Sequence, residues 1–288
     1  MSLSWPYHFV SLSEKEIQRR RDVLDLRGYY AQLSALAVIA AISLYRFYRG
    51  PPTRRTITKR SWWDSPPFQG WTETRKQYSI TLLWLLFLLG LSVWNTGDDY
   101  LHLTKALANV SLSQLPFQML LAPTSFIFTS NPALPSLLSS LTSIPQTTLA
   151  PYHRLFGRLI IVPLLCGHGI LYLLFYVQSS HPLFGTLLAK RIRDLDVQCG
   201  LAALATALLV LIFGRSTLWQ LRSLQWPGLR SAEERRRVFY IGHLVLVGAL
   251  LALAYSHVIY ARPYVLEAIG VSIANLVYCW LLVGKRKT

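Results

Sequence analysis

The chain has 288 residues, of which 52% are hydrophobic, and its 29 Lys and Arg against 13 Asp and Glu give a net charge of +16. The apolar residues gather in runs of about 18 to 25 residues, the length that a helix needs to cross a bilayer, so the composition indicates a membrane protein rather than a soluble domain. The basic residues lie between these runs, where anionic lipid and membrane topology account for them. The charge therefore does not predict nucleic-acid binding.

Seven apolar segments predict an all-α, polytopic membrane bundle of about seven transmembrane helices. Residues 1–29 mix acidic with basic side chains and lack the apolar core of a signal peptide, so we expect an N-terminal segment that precedes the first span. The predicted spans are residues 30–45, 78–94, 105–128, 153–177, 197–213, 238–260 and 265–283.

The third predicted span is the least apolar of the seven. Its polar side chains need protein partners, because lipid cannot satisfy their hydrogen-bonding groups. We therefore expect one face of this span to be buried against the rest of the protein. The residues concerned are Asn109, Ser111, Ser113, Gln114, Pro116 and Gln118.

The distribution of basic residues predicts the orientation in the membrane. Most of them lie in residues 46–76, 215–237 and 285–287, which we assign to the cytosolic side. Seven crossings then place the C-terminus in the cytosol and the N-terminus outside it or in a lumen. The three cysteines, all inside apolar runs and without a C-x-x-C pair, predict neither a disulfide framework nor a zinc site.

Four histidines in two of the spans are the strongest functional signal. His153 and His168 lie in the fourth span, and His243 and His257 lie in the sixth. Histidines inside a span are candidate functional residues because they are costly in lipid. Both spans start on the cytosolic side, so His153 pairs in depth with His243, and His168 with His257. Each pair suits a bis-histidine haem, which facing helices of a bundle can hold.

Other uses of these histidines are less favoured. A tetrahedral zinc site would need two more ligands at each level, and proton relays rarely need this spacing on two helices. For a single intramembrane histidine, a hydrogen bond between helices would be the ordinary interpretation. Four residues of one type, two on each of two helices, favour haem.

The spacing of the histidines makes a second prediction. His243 and His257 are 14 residues apart, which on a regular helix is about 40° out of phase and about 21 Å along the axis. His153 and His168 are 15 apart, about 60° out of phase in the opposite sense. Pro163 lies between them and donates no backbone hydrogen bond. A wide or π-type turn between Arg158 and Pro163 would absorb the extra residue and restore the register.

Three arginines lie near the predicted cytosolic ends of these spans. Arg154, Arg158 and Arg237 are placed to bind haem propionates through charge-assisted hydrogen bonds. They are equally placed to act as simple positive anchors on the cytosolic side.

The tracts that contain the histidines resemble a known family. YHRLFGRL (residues 152–159), His168 and RRRVFYIGHLVLVGALLALAYSH (residues 235–257) are similar to the ferric reductase-like transmembrane domain shared by fungal ferric-chelate reductases and NADPH oxidases. The resemblance implies two stacked b-type haems, the inner on His153 and His243 and the outer on His168 and His257. It also implies transfer of electrons across the membrane, so the chain is expected to be the haem-bearing part of an oxidoreductase.

The resemblance also divides the chain. Residues 1–29 are expected to form an extracytosolic segment, and residues 30–77 the first transmembrane helix and a basic cytosolic loop. Residues 78–284 are expected to form a six-helix, ferric reductase-like di-haem domain, and residues 285–288 a short basic cytosolic tail.

Family members carry a cytosolic dehydrogenase domain, and this sequence shows no FAD or NAD(P)H site. We therefore expect a separate flavin reductase or another donor on the cytosolic side, and a ferric chelate or oxygen as acceptor on the far side. The alternative is a non-catalytic membrane subunit of the same fold that stabilises or regulates a partner. The expected location is the plasma membrane or the endoplasmic reticulum.

Overall fold

The computed structural model describes residues 6–50, 61–124, 135–214 and 232–285. These residues are mostly helical, and the only strands among them are two residues each and form an antiparallel hairpin, β1 (Ser180–His181) and β2 (Gly185–Thr186). The predicted all-α class is therefore confirmed.

The helices in chain order are as follows. They are α1 (Glu14–Arg49), α2 (Arg75–Val93), α3 (Tyr100–Ser113), α4 (Leu115–Leu121), α5 (Leu137–Thr142), α6 (Gln146–Phe156), α7 (Val162–Gln178), α8 (Leu187–Arg191), α9 (Leu195–Phe213), α10 (Ala232–His257) and α11 (Arg262–Lys285).

Six helical segments of the described chain are long and apolar enough to cross a membrane. Only 11–22% of the apolar part of each segment is buried inside the protein, as expected for helices that face lipid. The chain is therefore an integral, multi-pass membrane protein. The segments are Glu14–Arg49, Arg75–Val93, Gln146–Gln178, Leu195–Phe213, Arg237–His257 and Ile259–Val283.

The third predicted span, residues 105–128, is not a single helix. It is divided at Gln114 into α3 and α4, and residues 125–134 lie outside the described part. Pro116 accounts for the break, because it has no N–H to donate to the carbonyl of Leu112.

The burial predicted for this region is confirmed. Asn109, Ser111, Ser113, Gln114 and Gln118 are all buried. The side-chain oxygen of Gln114 accepts a hydrogen bond from Nε1 of Trp84 on α2 at 3.0 Å. The polar face of α3 and α4 therefore packs on protein, as the cost of unsatisfied polar groups in lipid requires.

The first helix starts earlier than its apolar run predicts. A capping box between Ser13 and Glu16 begins α1 at Glu14, because each residue satisfies a free backbone N–H of the other. The 36 residues of α1 span about 54 Å, more than the hydrocarbon core of about 30 Å. Arg27 is fully buried on this helix and donates to Nε2 of His102 at 3.1 Å.

The chain divides into two compact units, Met1–Ile161 with Leu266–Thr288, and Val162–Val265. In the first, α3 packs against α1 and α2, and α6 against α2 and α4. The buried Asn275 of α11 accepts a hydrogen bond from the backbone N–H of Leu137 at 2.9 Å and lies within 3.4 Å of the carbonyls of Met119 and Ala122. This amide joins α11 to α4 and α5.

The second unit is built around α9, which packs against both α10 and α7. The approach to α7 is close at Gly169, where an added Cβ would lie 2.8 Å from Cδ2 of Leu204. The small residue therefore lets two apolar helices approach each other, as is common in membrane bundles.

The fourth span contains the predicted π turn. Five residues, Gly157–Ile161, form a π-helix between α6 and α7. The hydroxyl of the buried Ser111 on α3 donates to the carbonyl of Ile161 at 3.0 Å, which satisfies one backbone acceptor at this irregular turn. The turn lies just before Pro163, so the irregular turn predicted from the histidine spacing is confirmed, and it is of the π type.

Candidate functional site

The second unit brings two of the four histidines together. The rings of His168 on α7 and His257 on α10 have centroids 6.5 Å apart, and their planes are inclined by 70°. Both rings are partly buried. These are the two residues that the sequence pairs at one depth.

The ring of His257 is held by the backbone of α9. Its Nδ1 lies 2.5 Å from the carbonyl oxygen of Asp196. A carbonyl can only accept, so Nδ1 carries the proton and donates, and Nε2 keeps a lone pair that can bind a metal. A hydrogen bond from the second ring nitrogen to a carbonyl is the usual way to orient a metal-binding histidine.

A glycine makes room for this ring. A Cβ added at Gly200 would lie 2.6 Å from Cε1 and 2.8 Å from Nδ1 of His257. Both distances are well below van der Waals contact, so α9 can carry no side chain at this position without moving the imidazole. Gly200 lies one helical turn after Asp196, so one stretch of α9 both accepts the hydrogen bond and leaves the space.

In the first unit, His153 is also oriented by a hydrogen bond to a backbone carbonyl. Nδ1 of His153 donates to the carbonyl oxygen of Gln118 at 3.1 Å, which leaves Nε2 as the nitrogen with a lone pair. The side-chain amide of Gln118 donates in return to the carbonyl of His153 at 2.9 Å. This reciprocal pair joins α4 to α6 and fixes the imidazole at the end of α6.

The fourth histidine, His243, is partly buried on α10 and stacks on Phe239 one turn earlier, with ring centroids 5.7 Å apart. His153 belongs to the first unit and His243 to the second. The pairing of these two histidines therefore stays a prediction.

Two of the three predicted propionate-binding arginines have a protein partner. Arg154 and Arg158 contact the same carboxylate oxygen of Glu73, at 2.9 Å and 3.0 Å. Glu73 is 3% exposed. Burial alone raises the pKa of Glu73, but the hydrogen bond from Arg154 and the charges of Arg158 and Arg154 together hold it below its usual value. Arg237, by contrast, is exposed on α10.

The ring separation of the pair in the second unit matches that of two imidazoles on one haem iron. Metal–imidazole bonds of about 2 Å, and about 1.1 Å from each nitrogen to its ring centre, place two ligand rings about 6.2 Å apart. The separation of 6.5 Å between His168 and His257 is close to this value. A structural zinc site would need four ligands, and no group of three His, Cys, Asp or Glu among the described residues is placed to hold a metal.

Several residues of the site are not predicted from the sequence. Glu73 follows a strongly basic loop, and only its position before the capping box of α2 marks it as ordered. The carbonyls of Gln118 and Asp196 act through the backbone, so residue type gives no signal for them. Gly200 is one of several small residues in an apolar run, and only its contact with His257 distinguishes it.

Residues 107–254 match the family described as the ferric reductase like transmembrane component. The matched region is just over half of the chain and contains His153, His168 and His243, while His257 lies three residues beyond it. No curated protein and no solved structure matches the chain.

Proposed function

The chain belongs to the ferric reductase-like transmembrane family, and we propose that it transfers electrons across a membrane through two b-type haems. The inner haem is held by His153 and His243, and the outer haem by His168 and His257. Haem supplies the one-electron redox chemistry when bound, and the protein sets its ligation, burial and position.

The observation that carries this proposal is the His168–His257 pair. The two rings come from different helices, stand 6.5 Å apart and lie in one compact unit. His257 presents Nε2 because its Nδ1 donates a hydrogen bond to the backbone carbonyl of Asp196. The separation of the rings and the tautomer of His257 are both those that ligation of one iron requires.

Support for the inner haem is less direct. His153 has the same tautomer as His257, since Nδ1 donates to the carbonyl of Gln118. His153 and His168 are 15 residues apart, one more than His243 and His257, and the π turn at Gly157–Ile161 accommodates this extra residue. Both features are expected if all four histidines are iron ligands.

The electron donor is proposed to be a flavin reductase on the cytosolic side, with a ferric chelate or oxygen as acceptor on the far side. The C-terminus is proposed to be cytosolic and the N-terminus extracytosolic, in the plasma membrane or the endoplasmic reticulum. Arg154 and Arg158 are proposed to act first as partners of Glu73, and Arg237 remains available for a haem propionate.

The test is the haem content of the purified protein, measured per chain with a reduced-minus-oxidised optical spectrum. We expect two b-type haems in the wild type and one in His257→Ala, because an iron that loses one axial imidazole is bound weakly. His181→Ala is the matched control, since His181 lies in the β1–β2 hairpin of the same unit, where it accepts a hydrogen bond from Leu183 and packs on Phe184. The control should keep both haems.

Other outcomes would change the assignment. A wild type with no haem would contradict electron transfer and favour the non-catalytic subunit. Two haems retained in His257→Ala would contradict the ligand assignment.

A further inference from the structure

Arg191 lies outside the spans and contacts α7, which carries His168, and the start of α9, whose backbone binds His257. Arg191 ends α8, and its Nη1 lies 2.5 Å from a carboxylate oxygen of Asp194 while its Nη2 lies 2.8 Å from one of Asp196. Its guanidinium carbon also lies 5.9 Å from the ring centroid of Tyr176 on α7. One side chain thus touches the beginning of α9 and the end of α7.

The contact with Asp196 connects Arg191 to His257, because Asp196 binds both residues. Asp196 uses its side chain to bind Arg191 and its backbone carbonyl to accept the hydrogen bond of His257 Nδ1. The carbonyl lies in the first turn of α9. A bidentate guanidinium that spans Asp194 and Asp196 therefore restrains the backbone to which the imidazole is bonded.

The contact with Tyr176 leads to His168. Tyr176 packs on Tyr172 one turn earlier, with ring centroids 5.5 Å apart, and Tyr172 packs on His168 at 5.0 Å. The two routes from Arg191 therefore end on the two rings of the pair. All of these residues belong to the second unit.

The exposure of the ion pairs distinguishes this role from a purely stabilising one. The side chains of Arg191, Asp194 and Asp196 are 30%, 33% and 41% exposed. Ion pairs at such positions contribute little to stability because water and salt screen them. They still fix geometry, since the planar fork of an arginine holds two carboxylates in a defined arrangement.

We propose that Arg191 is a positioning residue that sets the orientation of His257, and through Tyr176 that of His168, at the outer haem. The inference rests on the proposed function of the same pair. Arg191 thus acts on the ligand pair without touching either histidine.

The expected direction follows from the hydrogen bond to Asp196. A hydrogen bond from Nδ1 to a carbonyl makes the imidazole a stronger base and so stabilises ferric iron. When the beginning of α9 is less restrained, this hydrogen bond weakens and the outer haem becomes easier to reduce. The potential of the outer haem should therefore rise.

The test is Arg191→Lys in the full-length protein, with the potential of each haem measured by redox titration and the low-spin ferric signals recorded by electron paramagnetic resonance. Lysine keeps the charge but not the fork, so charge alone predicts no change. We expect the reduction equilibrium of the outer haem to shift by about tenfold, or about 59 mV for one electron, toward the reduced form. Its low-spin signal should shift as well, while the inner haem stays unchanged.

The matched control is Arg193→Lys. Arg193 lies two residues away and packs over Phe184, so we expect neither the potentials nor the spectra to change. Asp196→Asn is the second variant, and it should raise the outer potential less than Arg191→Lys because Asp194 still holds the guanidinium.

Three results would overturn the inference. One is an Arg191→Lys protein with wild-type potentials and signals, and another is an equal shift in Arg193→Lys. In both cases the two haems would still be present and the proposed function would stand. A wild type that lacks the outer haem would instead overturn the proposed function, and this inference with it.

Discussion

The two compact units position their candidate ligand histidines in different ways. In the second unit, α7 and α10 supply both members of a pair, and α9 positions one of them through the carbonyl of Asp196 and the missing side chain of Gly200. In the first unit, the candidate ligand His153 is oriented by Gln118, and the charged residues beside it are paired with the buried Glu73. The geometry of the His168–His257 pair thus depends on close helix packing, whereas the surroundings of His153 depend on charge pairing.

Under the proposed function, this difference predicts that substitutions in the two units affect different haems. A change in the volume between α9 and α10 should act on the outer haem alone. A change in charge around Glu73 should act on the first unit and leave the outer pair intact. The π turn lies where the first unit ends, so a change there should affect the relation between the two sites.

The largest effect is expected from shortening the π turn. Deleting Leu159 removes one residue between His153 and His168, which on a regular helix rotates the following part by about 100° and moves it by about 1.5 Å. We expect at least one of the two haems to be lost, as measured by haem content per chain. Leu159→Ala is the control, because it changes the side chain and keeps the residue count. Two haems in the deletion variant would show that the turn does not set the register.

A smaller effect is expected from filling the space beside His257. In Gly200→Ala, the new methyl group would lie 2.6 Å from the imidazole, so the ring must move. Overpacking of this kind costs about 1–3 kcal/mol. We expect the outer haem to be bound weakly, which titration of the purified protein with haem would measure.

Gly242→Ala is the control for this substitution. Gly242 precedes His243, and no atom lies within 4 Å of a Cβ added there. Both haems should bind as in the wild type. Unchanged binding in Gly200→Ala would mean that His257 does not need its observed position.

The smallest effect is expected from the charge cluster of the first unit. Glu73→Gln leaves Arg154 and Arg158 without a carboxylate partner. We expect the free energy of unfolding at pH 7 to fall by about 1–2 kcal/mol. This is the contribution of a hydrogen bond to a charged group, reduced because the arginines are partly exposed. Because the pKa of Glu73 is lowered in the folded protein, this stabilisation is present above the usual glutamate pKa of about 4.3 and is lost as the pH falls through the lower folded value.

Thermal unfolding in detergent at pH 7 and at more acidic pH would measure this effect. The difference between the wild type and Glu73→Gln should shrink as the pH falls. Asp64→Asn, at an exposed acid in the same loop, is the control and should have little effect at either pH. A difference that is independent of pH would show that the carboxylate charge is not what stabilises the cluster.

Much of the fold follows from the sequence because apolar runs and polar loops are strong signals. The histidine spacing even predicts the π turn, since 15 residues do not fit the period that 14 residues satisfy. The prediction of the third span as one helix is wrong, because the length of its apolar run gives no sign of the break that Pro116 causes at Gln114. The long α1 also extends beyond its apolar run, because a capping box rather than hydrophobicity fixes its start.

The candidate site is predictable only in part, for a physical reason. Histidines in a membrane span are unusual, so residue type alone identifies them. The groups that orient them are backbone carbonyls, at Gln118 and Asp196, which every residue possesses. The partner of Arg154 and Arg158 lies about 80 residues earlier, and only the folded chain brings Glu73 to them.

The most direct test of the central claim is electron paramagnetic resonance of the oxidised, purified protein and its single histidine variants. The proposed function predicts two low-spin ferric signals, of which His168→Ala and His257→Ala abolish the same one, while His153→Ala and His243→Ala abolish the other. Variants of the first pair that remove different signals, or a wild type with no low-spin signal, would contradict the claim that facing histidines hold two haems.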